Sequence, residues 1–80
     1  MKDYSECIHT CQALQLAAMD VLGDLTINPD LVNVPAYKEL AERMYMVARQ
    51  AATVARLLDD QQTAKFTDSI AEKIIRIMED

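Results

Sequence analysis

Two cysteines and the chain's one histidine stand together in Cys7-Ile8-His9-Thr10-Cys11, and thiolate and imidazole are side chains from which zinc sites are built. Helical geometry works against this cluster. At about 100° per residue Cys7 and Cys11 share a face, but His9 stands about 200° from Cys7, so at most two ligands converge. The sequence holds no other Cys or His to complete a tetrahedral set. A Cys7–Cys11 disulfide would close a very small loop within helical geometry and add little stability. Both cysteines therefore read as small apolar residues of an inner stripe, and no metal or cofactor is expected.

His9 has only Ser5 and Thr10 as nearby hydroxyl side chains, and proximity in sequence does not assemble a nucleophile, a base and an orienting acid. It reads as a surface histidine, and no catalytic residue or enzymatic activity is expected. The carboxylate pairs Asp59-Asp60 and Glu79-Asp80 invite a shared proton or cation. Adjacent acids on a helix diverge by about 100°, and no calcium loop with alternating oxygen ligands and a glycine is present. They read as solvated helix-end residues.

Arg43, Arg49 and Arg56 punctuate the middle of the chain, and Arg49 and Arg56 lie two turns apart on one helical face. Such spacing suits phosphates, yet Glu39, Glu42 and Asp60 are interspersed and no helix-turn-helix signature or basic tail accompanies them. With 13 acidic against 8 basic side chains the formal charge is −5, so the average field repels nucleic acid and anionic lipid. A DNA-binding regulator is the lesser reading. So is an acidic mimic of nucleic acid, which would need Asp20, Asp24, Asp30, Asp59, Asp60, Asp68 and Glu72 on one face.

Apolar side chains outside the main stripes carry the strongest functional signal. Tyr45 and Met46 place large groups beside the stripe of the second helix, and Ile75 and Met78 do the same in the third. Tyr and Met are enriched at protein interfaces, and Met adapts to partners of varied shape. Together with Arg49, these four are the expected interaction residues. The resulting expectation is a protein–protein interaction module, whether adaptor, inhibitor or secretion-type chaperone, that uses an apolar helix face and forms a homodimer.

The elements that must position these residues are helical. The chain is 51% hydrophobic with one Gly and two Pro, a composition rich in helix formers. Tyr4, Cys7, Cys11, Leu14, Ala18, Val21 and Leu25 step by three and four, predicting a helix over roughly 3–24 with Gly23 inside its last turn or as its left-handed cap. Both prolines fall in Thr26–Pro35, the expected loop, with Asn33 as cap and Pro35 in the next first turn. Its apolar Ile27, Leu31, Val32 and Val34 should pack over the end of the bundle.

Tyr37, Leu40, Met44, Val47, Ala51, Val54 and Leu58 keep heptad spacing and predict a seam for a helix over 35–60, with Ala41, Ala48 and Ala55 beside it. The register fails after Leu58, which predicts either a break or, with no Gly or Pro there, a phase shift within one long helix; the break is the favoured reading, before a third helix over 65–78 striped by Phe66, Ile70, Ile74 and Ile77 and capped by Ser69 with Glu72. One domain over 1–80, an all-α three-helix antiparallel bundle made of a long hairpin and a C-terminal helix, follows. No apolar stretch approaches the ~20 residues of a membrane span. The polar start Met1-Lys2-Asp3-Tyr4-Ser5-Glu6 lacks an export signal's apolar segment, so a cytoplasmic location is expected.

Overall fold

A computed structural model describes residues 4–79. The Met1–Asp3 start and Asp80 of the Glu79-Asp80 pair lie outside the described residues. Three α-helices follow in order: α1 (Ser5–Ile27), α2 (Pro35–Leu57) and α3 (Gln61–Glu79), with a 3-10 turn over Pro29–Asn33 between the first two.

Proline sets the first two boundaries. Pro29 holds the preceding Asn28 away from helical angles, at φ −135° and ψ 82°, and α1 stops there with the Asn28 N–H donating to the Asp24 carbonyl at 2.9 Å. The helix thus outruns the expected end near 24, and Gly23 lies inside it. Pro35 likewise keeps Val34 extended and occupies the first position of α2, where its missing N–H costs nothing. The expected Asn33 cap is corrected: Val34 is the capping residue, and no side-chain bond caps the helix. Leu31 and Val32 pack against the core as the loop reading expects, but Ile27 and Val34 face solvent.

The third boundary is built from two aspartates. Asp59 adopts φ 67°, the left-handed conformation that ends helices. The Asp60 N–H then donates to the Ala55 carbonyl at 2.8 Å and the Asp59 N–H to the Arg56 carbonyl at 3.1 Å, the paired bonds of a Schellman motif. Asp60 also caps α3: its carboxylate accepts from the Thr63 N–H at 3.1 Å and the Thr63 hydroxyl at 2.7 Å. The break predicted after Leu58 is present, but α3 begins at Gln61 rather than 65. The Ser69–Glu72 capping box is overturned, because both residues lie inside the helix.

Packing corrects the predicted seam of α2. Its buried residues are Ala41, Ala48, Ala51, Ala52 and Ala55, whereas Leu40 and Val54 stay 47% and 41% exposed. Small side chains let two neighbouring backbones approach at once, so the alanine stripe faces inward and the larger residues are displaced to its edge. Cys11 packs with Ala51, Ala55 and Ala64 at one end. Further along, Ala18, Val21 and Leu25 meet Ala41, Ala48, Ile70, Ala71 and Ile74. These contacts run α1 and α3 in one direction and α2 in the other, an antiparallel three-helix bundle of 48 × 19 × 17 Å.

Leu25, Ile74 and Thr67 are its largest fully buried side chains, each aliphatic one contributing about 1.5–3 kcal/mol. Buried Thr67 donates to Gln15 Oε1 at 3.3 Å, which satisfies the hydroxyl and ties α3 to α1.

Candidate interaction site

The residues expected to form one interaction face occupy different environments. Tyr45 and Met78 are half-buried and pack against the main core, and Ile75 is also half-buried. Met46 alone of the four stands well out, at 61% exposure. Arg49 and Arg56 both turn toward α3. Arg56 Nη2 donates to Asp68 Oδ2 at 2.7 Å and Arg49 Nε lies 3.8 Å from Asp68 Oδ1. With the Arg side chains about half exposed, solvent screens these pairs to ~0.5 kcal/mol each. A third pair, Arg43 to Glu39 at 2.8 Å, is a surface i, i+4 contact.

The acids are distributed rather than gathered. Asp68 serves the arginines, Asp60 caps α3, and Asp24 Oδ2 accepts from the Tyr37 hydroxyl at 3.0 Å. Burial and then that hydrogen bond push the Tyr37 phenol up to about 12. The two hydrogen bonds from Thr63 hold the Asp60 carboxyl below its usual 3.8.

The two cysteines separate by environment. Cys11 is buried and Cys7 exposed, which corrects the expectation that both sit in the inner stripe. Burial, then the neighbouring Cys7 and Asp60, raise the Cys11 thiol, so it is the less reactive of the two. No group of three or more His, Cys, Asp and Glu among the described residues is placed to hold a metal ion.

Exposed apolar residues also border two depressions on the flanks of α1. Between α1 and α2 runs an open groove of about 340 Å³, lined by Cys7, Leu14, Val47, Ala51 and Val54 with Thr10 and Gln50 at its rim. Leu40 continues its α2 edge one heptad away from Val47. Between α1 and α3 a second open depression of about 530 Å³ is lined by Gln12, Gln15, Leu16, Gln62 and Phe66, with Asp60 and Thr63 of the α3 cap also in its wall. Here Leu16 is 60% and Phe66 49% exposed, with Met19 also exposed.

The signal for these surfaces is in the sequence. Leu40, Val47 and Val54 repeat every seven residues and match a buried seam until the alanines compete with them for the inward position. Gln12, Leu16, Met19 and Gly23 step by four, three and four, forming a second stripe beside the inner one of α1. No helix of the described residues is long and apolar enough to cross a membrane. Comparison with protein-family models, curated proteins and solved structures finds no match.

Proposed function

We propose that the protein is a small protein–protein interaction module that receives an apolar face of a partner's helix in the groove between α1 and α2. The observation that carries this reading is the amount of apolar surface left uncovered. Ten large apolar side chains of the described residues stay substantially exposed, among them Val54, which lines the groove, and Leu40, two heptads before Val54 on the same face of α2. Exposed apolar residues scattered singly are ordinary, but aligned ones rimmed by polar groups mark interaction sites. A groove flanked by heptad-spaced Leu40, Val47 and Val54 suits the i, i+3, i+4, i+7 anchors of an amphipathic helix.

The DNA-binding reading ranks below this one because Arg49 and Arg56, its proposed phosphate contacts, are both directed to Asp68. The test is differential capture. Immobilised wild-type chain and a Val47→Glu, Val54→Glu variant are exposed to lysate of the source cells, and retained proteins are quantified by mass spectrometry. A partner held by the groove is retained by the wild type and lost by the variant. Identical retained sets for the two would sink the reading.

A further inference from the structure

The fold gives the chain's two thiols a shared setting. Cys7 and Cys11 lie one turn apart on α1 and both line the groove between α1 and α2, Cys7 exposed and Cys11 only 4% exposed. Their proximity is felt electrostatically: after burial, Cys7 is the next cause that holds the Cys11 thiol up.

Spacing decides what such a pair can do. Residues four apart on a helix hold their Cβ atoms about 5–6 Å from each other. A disulfide requires about 3.5–4.5 Å, so forming one would have to distort the first turns of α1. A metal–thiolate bond is about 2.3 Å, and a straight sulfur–metal–sulfur unit therefore spans about 4.6 Å. Two sulfurs carried on these Cβ atoms reach that span through their χ1 rotamers, with the backbone left helical.

The rest of the lining selects the ion. Leu14, Val47, Ala51 and Val54 are apolar, Thr10 and Gln50 are neutral, and none of the described residues that line the groove carries a carboxylate, an imidazole or a cationic group. Zinc takes four ligands in structural sites and finds two here. Calcium and magnesium find no charged oxygen. Soft thiolates select Cu(I), a filled-shell monovalent ion that two ligands in line satisfy. Apolar walls limit water at the bound ion, which favours its reduced state.

We propose that Cys7 and Cys11 form a two-coordinate Cu(I) site in the α1–α2 groove. Copper enters at exposed Cys7 and Cys11 completes its coordination. Each thiol gives up its proton as its sulfur–copper bond forms, so two protons leave, no electron moves, and the complex of two thiolates with Cu(I) carries one negative charge. The Cys11 proton, held by burial, is the costlier of the two to displace, a cost that strong bonds to sulfur offset.

This site shares its groove with the module reading but does not rest on it. The test is a titration of the reduced whole chain, without oxygen, into the coloured complex of Cu(I) with bicinchoninate. The wild type should withdraw one Cu(I) per chain, with a thiolate-to-copper charge-transfer band appearing in the ultraviolet. Cys7→Ser, at an exposed position, should remove the band and weaken uptake by more than the roughly 10–100-fold that loss of an outer-shell group costs. Cys11→Ala, which sets one more alanine among Ala51, Ala55 and Ala64, should do the same with its helical circular dichroism retained; if that variant loses helicity, Cys7→Ser decides alone. His9→Gln should bind as the wild type does. A wild type that takes no copper from the chelator, one that binds half an equivalent by bridging two chains through Cys7, or a Cys7→Ser variant with undiminished uptake overturns the proposal. Groove-dependent capture of a partner without copper binding defeats this proposal alone, whereas copper binding without such capture defeats only the module reading.

Discussion

Helix α1 and the α2–α3 hairpin both leave large apolar side chains exposed, but they differ in how charge and polar ties are placed around them. In the hairpin nearly everything apolar and small is turned inward: a stripe of alanines from α2 meets Ala64, Ala71 and Ile74 of α3. The charged residues are left outside, where Arg49 and Arg56 straddle Asp68. A three-residue turn with a left-handed Asp59 and a capping Asp60 closes it. Helix α1 supplies Cys11, Ala18, Val21 and Leu25 to the same core and still shows Leu16, Met19 and Ile27 to solvent. Its polar ties to the rest are few, chiefly Gln15 to Thr67 and Asp24 to Tyr37. One region binds its two helices through charged pairs across them, and the other meets the bundle with few charges and few polar ties.

The sharpest way to break this comparison is at Ile74, which is fully buried against both partners. Ile74→Ala should cost about 2–5 kcal/mol, a large share of the ~4–12 kcal/mol expected for a chain of this length. Urea denaturation should show an early or absent transition. Leu16→Ala, on the outer flank of α1, should leave monomer stability within ~0.5 kcal/mol.

Overpacking comes next. Ala48→Leu at a position of zero exposure should force α2 away from its neighbours at about 1–3 kcal/mol, read as a lowered urea midpoint with the α-helical spectrum retained. If it is tolerated without loss, the alanine stripe is not the close-packed contact described above.

The hairpin turn predicts opposite signs at a single position. Because Asp59 holds φ 67°, Asp59→Gly should stabilise by roughly 0.5–1 kcal/mol. Asp59→Val, β-branched and unable to bond locally to its own backbone, should destabilise by about 1 kcal/mol or more. Thermal melts of the pair should fall on either side of the wild type.

Smaller effects come from charge. A double-mutant cycle of Arg56→Gln and Asp68→Asn should give a coupling of ~0.5 kcal/mol that vanishes at 1 M salt. The Asp60 carboxyl, held below its ordinary 3.8 by the bonds from Thr63, favours folding above that pH, and its contribution is lost as pH falls through the lowered folded value. Asp60→Asn should therefore flatten the acid limb of stability below about pH 4 without altering the neutral-to-alkaline limb. At the other extreme, Tyr37 ionises near 12 in the fold. Its contribution is complete below the usual 10 and disappears between 10 and about 12, which ultraviolet titration of Tyr37→Phe against the wild type should show as one missing late step.

Much of the architecture was legible in the residues. Steps of three and four marked the three helices, and the prolines marked the first loop, because period and the absence of a proline N–H act locally and leave little room for rescue. The break after Leu58 was legible as a failed register. Its mechanism was not, since Asp59 supplies the left-handed turn more often given to glycine. The inward face of α2 was misassigned for a tertiary reason: Leu40 and Val54 have more apolar area than the alanines, but only the alanines admit two backbones at once. Of the expected interaction residues Tyr45 and Met78 lean on the core and Ile75 is half-buried, so the uncovered apolar surface includes Leu16, Met19, Met46, Phe66 and the α1–α2 groove.

Local spacing thus decided that there are three helices and roughly where they run, because helical period and chain stiffness are properties of neighbouring residues. Which of two adjacent stripes turns inward was decided only when the helices packed. That choice depends on how closely backbones approach, a distance that no single helix contains.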